Sequence, residues 1–365
     1  MKKTKITALM LSCALAAIMT GCGGVGGAVS ETTTAAETSS ESADTSEASV
    51  TSEASEESET SEQPETEAAE KTVFNIASLK GPTTMGMVKL MKDSEAGLTA
   101  NEYNVTIHGT ADEIVTGIVG GTVDTANVPA NLSSVLYKKT EGAVSVAAVN
   151  TLGVLYVVET GESIQSIADL KGKTIYSTGK GTTPEYVLNY VLTQNGIDPA
   201  KDVTVEYKSE ATEVAAMLAD AEDAVAVLPQ PFVTVAMTKN DKIRICLDMT
   251  EEWNKVAEDK LITGVVIGRN DFIEANKDAF DVFLDEYKAS TEYVNANVDE
   301  AAAWIGEYDI VAEGVAKKAL PYCNITFLRG GDMKSAVEGY LNVLFGQNPA
   351  SVGGALPDEG FYYGV

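Results

Sequence analysis

The chain has 365 residues, with 54 acidic side chains against 26 basic ones and a formal net charge of -28. This length favours two lobes, or a domain joined to disordered sequence, and the acidic balance argues against nucleic-acid binding, which needs clustered lysine and arginine. A single histidine, His108, excludes a metal site built from several histidines, and four cysteines without a CxxC pair argue against a zinc ribbon or a thioredoxin-type motif.

Residues 1–22 have the pattern of a secretory signal. Three lysines precede a short apolar run, Ile6–Met19, which is too brief to span a bilayer. The ending Met19-Thr20-Gly21-Cys22 resembles a lipobox. This resemblance implies a diacylglycerol on Cys22 that anchors the mature protein to the outer face of the bacterial cell membrane. The alternative is a plain secreted protein.

Residues 23–71 contain 13 acidic side chains, one lysine and almost no large apolar side chain. Such a segment cannot bury enough apolar surface to offset the entropy lost on ordering the chain. We therefore expect a disordered, Ser/Thr/Glu-rich tether, and a fold that begins near Thr72.

From Val73 onward, strand-like apolar runs alternate with amphipathic helical patterns, which predicts an α/β fold with mainly parallel sheets. The first predicted strands are Val73–Leu79, Asn104–His108, Val123–Asn127, Val144–Val149 and Leu152–Glu159. The predicted helices between them are Thr83–Met91, a helix that starts with a capping box at Thr110 and ends at Val119, and a helix over Pro129–Tyr137.

A second set of elements follows Ser163. Its predicted strands are Thr174–Ser177, Val203–Tyr207, Ala224–Leu228, Lys242–Leu247 and Leu261–Gly268. One helix is predicted to begin with Thr183 as its N-cap and to end at Gly196, and another lies near Thr212–Ala219. The rest of the chain is predicted to be helical, with helices near Lys277–Val294, Asp299–Glu307, Val311–Leu320 and Met333–Leu344.

Several segments in this order resemble the substrate-binding proteins of ABC importers. They are Gly117–Asn127 (GIVGGTVDTAN), Ser166–Lys173 (SIADLKGK), Val225–Pro231 (VAVLPQP), Thr263–Asn276 and Asn297–Ala302. More narrowly, the chain resembles the NMT1/THI5-like family, which includes nitrate, sulfonate, taurine and thiamine-pyrimidine binders. The resemblance covers nearly all of residues 72–365.

This resemblance implies the type 2 periplasmic-binding-protein fold, in which two α/β lobes are joined by two hinge strands and close on a ligand. We place the crossovers near Val157–Gly161 and Leu261–Val266. The first lobe then comprises residues 72–158 and 263–365, including the C-terminal helices, and the second lobe comprises residues 159–262. The implied partners are a small organic solute and the ABC permease, with no cofactor, and we expect a monomer.

Open α/β sheets bind ligands beyond the carboxyl ends of their strands, where helices begin. The unpaired N–H groups and the dipole of a helix start favour an anionic group there. Four such junctions are Lys80–Met85, Asn127–Ala130, Thr178–Pro184 and Leu228–Phe232.

The strongest candidate for ligand contact is the loop Thr178-Gly179-Lys180-Gly181-Thr182-Thr183. Its glycines let the backbone approach a ligand, its hydroxyls can donate hydrogen bonds, and Lys180 adds positive charge. The alternative is an ordinary loop before a capped helix. The P-loop pattern is absent from this loop, and the sequence GKGTTP departs from the dinucleotide fingerprint because Pro184 stands in place of the fingerprint's last glycine.

The second candidate is Lys80-Gly81-Pro82-Thr83-Thr84-Met85, with Lys80, Thr83, Thr84 and Met85 as predicted ligand contacts. The alternative is that this segment forms only a turn and a helix start, with Met85 packed in the core. The Asn127 amide either contacts the ligand or caps the following helix. Tyr156 and Gln230 are weaker candidates, since a tyrosine in a strand is usually packed.

Three functional classes are candidates for this chain. The leading one is a non-enzymatic lipoprotein that delivers a small solute to an ABC permease. The second is an enzyme, because the family includes a thiamine-pyrimidine synthase, but the histidine and cysteine-rich iron motif of that enzyme is missing here. The third is a sensing module that reports a ligand to a membrane receptor.

The sequence allows two alternatives each for the kind of ligand and for the state of the last two cysteines. The helix starts favour a sulfonate or carboxylate ligand, whereas an aromatic such as Tyr156 would suit a flat heteroaromatic like a pyrimidine. Cys246 and Cys323 either form a disulfide or remain buried thiols.

Overall fold

The computed structural model describes residues 70–365. The predicted signal with Cys22, and the predicted tether up to residue 69, lie outside the described residues. Within the described part, no helix is both long enough and apolar enough to cross a membrane.

Residues 70–365 contain eleven strands, arranged in two sheets. They are β1 (Val73–Leu79), β2 (Glu102–His108), β3 (Thr125–Pro129), β4 (Val144–Leu152), β5 (Leu155–Glu159), β6 (Thr174–Thr178), β7 (Thr204–Lys208), β8 (Val225–Pro229), β9 (Arg244–Asp248), β10 (Ile262–Arg269) and β11 (Ile325–Leu328).

The helices cover both sheets. They are α1 (Pro82–Met85), α2 (Val88–Glu95), α3 (Ala111–Val119), α4 (Ala130–Lys139), α5 (Thr183–Gln194), α6 (Ala211–Asp220), α7 (Phe232–Lys239), α8 (Met249–Asn254), α9 (Asn270–Ala275), α10 (Lys277–Ala296), α11 (Val298–Glu307), α12 (Glu313–Ala319) and α13 (Gly330–Gln347). Short 3-10 turns lie at Ile167–Leu170, Leu320–Tyr322, Pro349–Val352 and Glu359–Phe361.

Both sheets are mixed, and the expectation of mainly parallel sheets was wrong. The first sheet has the order β11-β4-β10-β3-β1-β2, in which β10 runs antiparallel to both of its neighbours. The second has the order β7-β6-β8-β5-β9, in which β5 is the antiparallel strand. β5 and β10 are the strands that receive the chain from the other sheet, which accounts for their reversed direction, and β11 also pairs antiparallel with β4.

Alternate residues of the central strands pack against different helices. On β10, Val265 and Ile267 belong to one apolar cluster, and Val266 belongs to another that contains α10 side chains such as Phe283. This period of two is the geometry of a strand buried on both faces. It explains why these strands are almost continuously apolar.

One apolar cluster contains side chains from both sheets. It includes Val149 and Val265 of the first sheet, Val157 and Val227 of the second, and the fully buried Trp253 of α8. The chain passes to the second sheet between β4 and β5 at Gly153 and Val154, earlier than the expected Val157–Gly161. It returns between α8 and β10, near the expected second crossover.

Several helix starts differ from the expectation. Gly86 and Met87 divide the predicted Thr83–Met91 helix into α1 and α2. Thr110 is the N-cap of α3 but makes no side-chain cap bond, and the Glu113 carboxylate, the other half of the predicted capping box, pairs with His108. Thr182, rather than Thr183, is the N-cap of α5.

Three elements were missed. β11 lies in the region predicted to be helical, and its four residues are too few to show a period of two. The helices α7 and α8 were also not predicted.

Cys246 and Cys323 are free thiols, so the expected alternative of a disulfide between them is wrong. Burial raises the pKa of the Cys246 thiol to about 12.

The buried carboxylate of Glu159 fixes the segment that follows β5. It accepts hydrogen bonds from the backbone N–H of Ser163 (3.1 Å) and Ile164 (3.0 Å), and it contacts the guanidinium of Arg244. Burial alone would raise its pKa, but these donors outweigh burial and hold the pKa below the ordinary value of 4.5.

We expect Glu159→Gln to lower the free energy of unfolding at pH 7 by about 3 kcal/mol, because the Arg244 charge loses its partner. A carboxyl whose folded pKa is lowered stabilises the fold above pH 4.5 and stops doing so as the pH falls through the lowered value. Urea unfolding should therefore show that the difference in the free energy of unfolding between wild type and variant becomes smaller below pH 4.5. The control is Glu162→Gln, an exposed glutamate of the same segment. An equal, pH-independent effect of both substitutions would contradict this role.

Candidate functional site

A cavity of about 380 Å³ lies where strands of both sheets end. Its walls include the residues that follow β1, β2 and β3 of the first sheet, and those that follow β6, β7 and β8 of the second. The crossover residues Val154 and Leu155 also line it. The cavity therefore occupies the place where open α/β sheets bind ligands, here with two sheets contributing.

The loop between β6 and α5 forms one wall. Gly179 and Gly181 have φ values of 68° and 78°, and a Cβ atom on Gly179 would lie 2.5 Å from Thr182 Oγ1. Glycine is therefore required at position 179. The Thr182 hydroxyl donates to the Gly179 carbonyl at 2.7 Å, and the N–H of Gly181 donates to the Glu185 carboxylate at 2.5 Å.

The loop between β1 and α2 forms the facing wall. Leu79, Lys80, Pro82 and Thr83 line the cavity. The Thr83 hydroxyl donates to the Leu79 carbonyl at 2.8 Å. Thr84 and Met85, also predicted to contact ligand, are fully buried, and the Thr84 hydroxyl lies 2.7 Å from Ser78 Oγ.

Asn127 lies in a buried polar network behind this wall. Its amide donates to Ser78 Oγ at 2.9 Å, and its carbonyl oxygen accepts from Asn150 Nδ2, also at 2.9 Å. The Tyr287 hydroxyl donates to the Thr83 carbonyl at 2.8 Å, which links the network to a cavity residue. Asn127 neither lines the cavity nor caps α4, whose N-cap is Pro129.

Tyr156 and Gln230 also have partners within the protein. The Tyr156 hydroxyl donates to the Tyr322 carbonyl at 3.3 Å, and burial raises the pKa of Tyr156. The Gln230 side chain is 2 % exposed, and its carbonyl oxygen accepts from the Thr234 hydroxyl at 2.8 Å in the first turn of α7.

The structure brings seven of the thirteen predicted contact residues to the cavity wall. These are Lys80, Thr83, Thr178, Gly179, Lys180, Thr182 and Thr183. The other six, which do not line it, are Thr84, Met85, Asn127, Tyr156, Gly181 and Gln230. Five of these side chains are buried inside the protein and so cannot face the cavity, whereas Gly181 is exposed and has no side chain.

Sequence reasoning missed two loops that line the cavity. They are Gly109–Asp112 after β2 and Lys208–Thr212 after β7. A signal was present, since HGTADE at 108–113 and KSEATE at 208–213 both follow a strand and open an acidic helix. The two loops face each other, because a Cβ atom on Gly109 would lie 2.8 Å from the Glu210 carboxylate.

The charged side chains of the cavity are the lysines Lys80, Lys180 and Lys208 and the acids Asp112 and Glu210. Lys180, Asp112 and Glu210 are exposed, whereas the apolar wall residues Val154, Leu155 and Phe232 are buried. Lys208 lies 3.5 Å from Glu206. Within residues 70–365, neither Lys80 nor Lys180 has an ion-pair partner, so both ammonium groups remain open to a ligand.

A buried junction joins the β6–α5 loop to the helices α4 and α13. The Tyr340 hydroxyl of α13 donates to Thr183 Oγ1 at 3.2 Å, and the Thr183 hydroxyl donates to Asn131 Oδ1 of α4 at 3.4 Å. The Asn131 amide in turn donates to the Gly181 carbonyl at 3.3 Å. All three side chains in this chain of bonds are fully buried.

The model of the family described as NMT1/THI5 like matches residues 104–301. An ABC transporter structure from Parabacteroides distasonis aligns with a TM-score of 0.66 and 24 % identity, over 80 % of this chain and 99 % of that one. The alkanesulfonate-binding protein of Xanthomonas axonopodis pv. citri bound to MOPS aligns with a TM-score of 0.62 and 15 % identity, over 80 % and 96 %.

The periplasmic nitrate-binding protein of Synechocystis PCC 6803 aligns with a TM-score of 0.59 and 14 % identity, over 76 % of this chain and 82 % of that one. Among curated proteins, none matches the chain. These structural similarities confirm the predicted fold, which is the type 2 periplasmic-binding-protein fold.

We expect Tyr340→Phe to speed amide hydrogen exchange in residues 178–184, because Thr183 loses the donor that links it to α13. The free energy of unfolding should fall by about 1 kcal/mol. Tyr137→Phe is the matched control, since its hydroxyl contacts Asp358, which does not line the cavity. Unchanged exchange in residues 178–184 of the Tyr340 variant would show that the junction does not hold the cavity wall.

Proposed function

Because the chain belongs to the NMT1/THI5-like family, we propose that it is the extracytoplasmic solute-binding lipoprotein of an ABC importer. It captures a small organic solute in the cavity between its two lobes and delivers it to the permease. The observation that carries this proposal is the cavity itself. It is bounded by strand ends of two sheets, and within residues 70–365 the chain passes between these sheets at two crossovers.

The cavity supports a solute with one acidic group, such as a sulfonate or carboxylate. Lys80 and Lys180 line it and have no ion-pair partner within the described residues. An ammonium group attracts an acid without forming the fixed bidentate fork of arginine. In this proposal the seven wall residues named above contact the solute, and Asn127 supports Thr83 through Tyr287.

A flat heteroaromatic body is a second candidate for the same solute. The aromatic side chain that favours it is Phe232, which lines the cavity, and not Tyr156, which packs behind it. A ring stacked on Phe232 and an acid beside the lysines are compatible in one molecule.

The membrane anchor is proposed from residues 1–22 alone. In this proposal Cys22 carries the lipid, the acidic segment 23–71 spaces the lobes from the membrane surface, and the protein acts outside the cytoplasm as a monomer. A sensing module of a membrane receptor would have the same anchor and the same cavity. Genes for a permease and an ATPase next to the gene of this protein would favour transport over sensing.

We propose binding and not catalysis. His108, the sole histidine, lies 2.8 Å from Glu113 and 3.1 Å from Thr106 Oγ1, and it does not line the cavity. Within residues 70–365, no cluster of three metal-ligating side chains is present. The proposal therefore assigns the cavity residues to recognition, without a cofactor.

A thermal-shift screen over sulfonates, carboxylates, nucleobases, amino acids and thiamine precursors tests this function. A bound solute should stabilise the folded protein by about 2.7 kcal/mol at a concentration of one hundred times its Kd. We expect one chemical series to raise Tm, and Lys80→Gln to weaken that shift. The matched control is Lys242→Gln, an exposed lysine away from the cavity. A library without any stabilising solute would contradict the proposed function.

A further inference from the structure

The first crossover is attached to the first sheet up to Gly153. The N–H of Leu152 donates to the Asn324 carbonyl at 3.1 Å, and the side-chain amide of Asn324 donates to the Gly153 carbonyl at 2.5 Å. Asn324 directly precedes β11, which pairs with β4. These two bonds therefore hold Leu152 and Gly153 in a fixed position relative to the first sheet.

The next carbonyl along the chain is attached to the second sheet. The N–H of Gln230 donates to the Val154 carbonyl at 2.9 Å, and Gln230 directly follows β8. From Leu155 onward the chain is paired with β8. Because the peptide bond is planar, only φ and ψ of Val154 lie between the Gly153 carbonyl and the Val154 carbonyl. A rotation between the sheets at this crossover is therefore absorbed by Val154.

Gly153 would be the expected point of rotation, because glycine is the most permissive residue. Its surroundings are tightly packed, however, and a Cβ atom on Gly153 would lie 2.2 Å from Thr250 Oγ1 and 3.0 Å from Leu261 Cδ2. Thr250 belongs to α8, and Leu261 directly precedes β10, so the second crossover packs on the first. The glycine at position 153 therefore permits close packing, and it is not a free joint.

The second crossover has a matching gap between its two attachments. The indole N–H of Trp253 in α8 donates to the Asp259 carbonyl at 2.7 Å, and Ile262 is already paired with β4. Residues 260–261 lie between these attachments. Leu261 packs on the first crossover, so the two points of rotation are neighbours, as a rotation about one axis requires.

The cavity rim at the far edge of both sheets is free to separate. The loops 109–112 and 208–212 follow the edge strands β2 and β7, whereas the crossovers adjoin β4, β5 and β10. The Glu210 carboxylate lies against Gly109 but accepts from the Thr212 hydroxyl of its own loop at 3.1 Å. Among residues 70–365, no hydrogen bond or ion pair joins the two loops.

Four hydrogen bonds that cross between the two sheets and their helices elsewhere are long. They join Tyr156 to Tyr322 (3.3 Å), Tyr340 to Thr183 (3.2 Å), Thr183 to Asn131 (3.4 Å) and Asn131 to Gly181 (3.3 Å). The bonds that flank Val154, at 2.5 and 2.9 Å, are shorter. Since hydrogen bonds weaken with distance, the long ones exchange for water first when the sheets rotate.

We propose that Val154 is the pivot of the first crossover, meaning the residue whose φ and ψ absorb the rotation, and that Asn324 is the positioning residue that confines the rotation to it. Val154 also lines the cavity and is 1 % exposed. A solute in the cavity thus contacts the residue whose backbone angles set the angle between the sheets. The inference rests on the proposed function for closure on a solute, but the pivot itself can be measured without one.

Double electron–electron resonance on the full chain measures the rotation in the absence of solute. Spin labels are coupled to a ketone-bearing amino acid at positions Val119 and Asp220, the exposed last residues of α3 and α6, so that Cys246 and Cys323 stay unchanged. Helix α3 packs on strands of the first sheet and α6 on strands of the second. The distance between the labels therefore follows the angle between the sheets.

Val154→Gly tests the pivot. We expect the substitution to broaden the distribution of label distances in the solute-free protein and to add longer distances, because glycine has a wider range of φ and ψ. The matched control is Val157→Gly, the same substitution at a buried residue of β5 that is paired with both β8 and β9. Each variant loses one buried valine, so urea unfolding should show a similar loss of stability, and only Val154→Gly should broaden the distribution.

Asn324→Gly tests the positioning residue. Asn324 has a φ of 43°, which glycine adopts readily, so the substitution removes the side-chain donor and keeps the turn. We expect a broader distribution, because Gly153 is then less fixed, and about fivefold weaker binding of the best solute from the screen, the equivalent of one hydrogen bond. The matched control is Asp309→Gly, an exposed residue with a φ of 51° whose side chain makes no hydrogen bond within residues 70–365.

Two results would overturn the inference. They are a wild-type distance distribution in Val154→Gly or Asn324→Gly, and equal broadening in either variant and its control. Both results would leave the proposed function intact, because the distances are measured without solute. A screen without any stabilising solute, together with the expected broadening, would overturn the proposed function and leave the pivot as a property of the fold.

Discussion

The apolar cluster that contains side chains of both sheets is the constraint on which the rest of the structure depends. Val149 and Val265 come from one sheet and Val157 and Val227 from the other, and all are almost fully buried. This cluster joins the two sheets, and the ends of β1, β2 and β3 in one sheet and of β6, β7 and β8 in the other line one cavity. The crossover residues Val154 and Leu155 line that cavity, so the connection between the two sheets is also part of the cavity wall.

Polar groups then divide into those that build the wall and those that remain open. The Asn127–Asn150–Tyr287 network and the Asn131–Thr183–Tyr340 junction support the wall from behind, with their donors and acceptors paired inside the protein. Such satisfied buried networks give a cavity a fixed shape. The remaining cavity wall combines the buried apolar residues Val154, Leu155 and Phe232 with Lys80 and Lys180, which have no ion-pair partner within residues 70–365.

The alternation of strands and helices, the family and the place of the cavity could be predicted from the sequence, because apolar periodicity and strand-end loops are local signals. The outcome for Asn127 could not be predicted, since Ser78 and Asn150 are distant in sequence and meet it only through strand pairing. The mixed sheets were missed for the same reason, because the direction of β5 and β10 depends on the crossovers.

The most direct measurement is a crystal structure of the protein with the solute that raises Tm most in the screen. We predict that electron density for the solute lies between the loop Lys80–Thr83 and the loop Thr178–Thr183, with its acidic group near Lys80 or Lys180. Density at another place, such as the surface groove near Asn270, Lys277 and Tyr362, with the cavity holding only solvent, would contradict it.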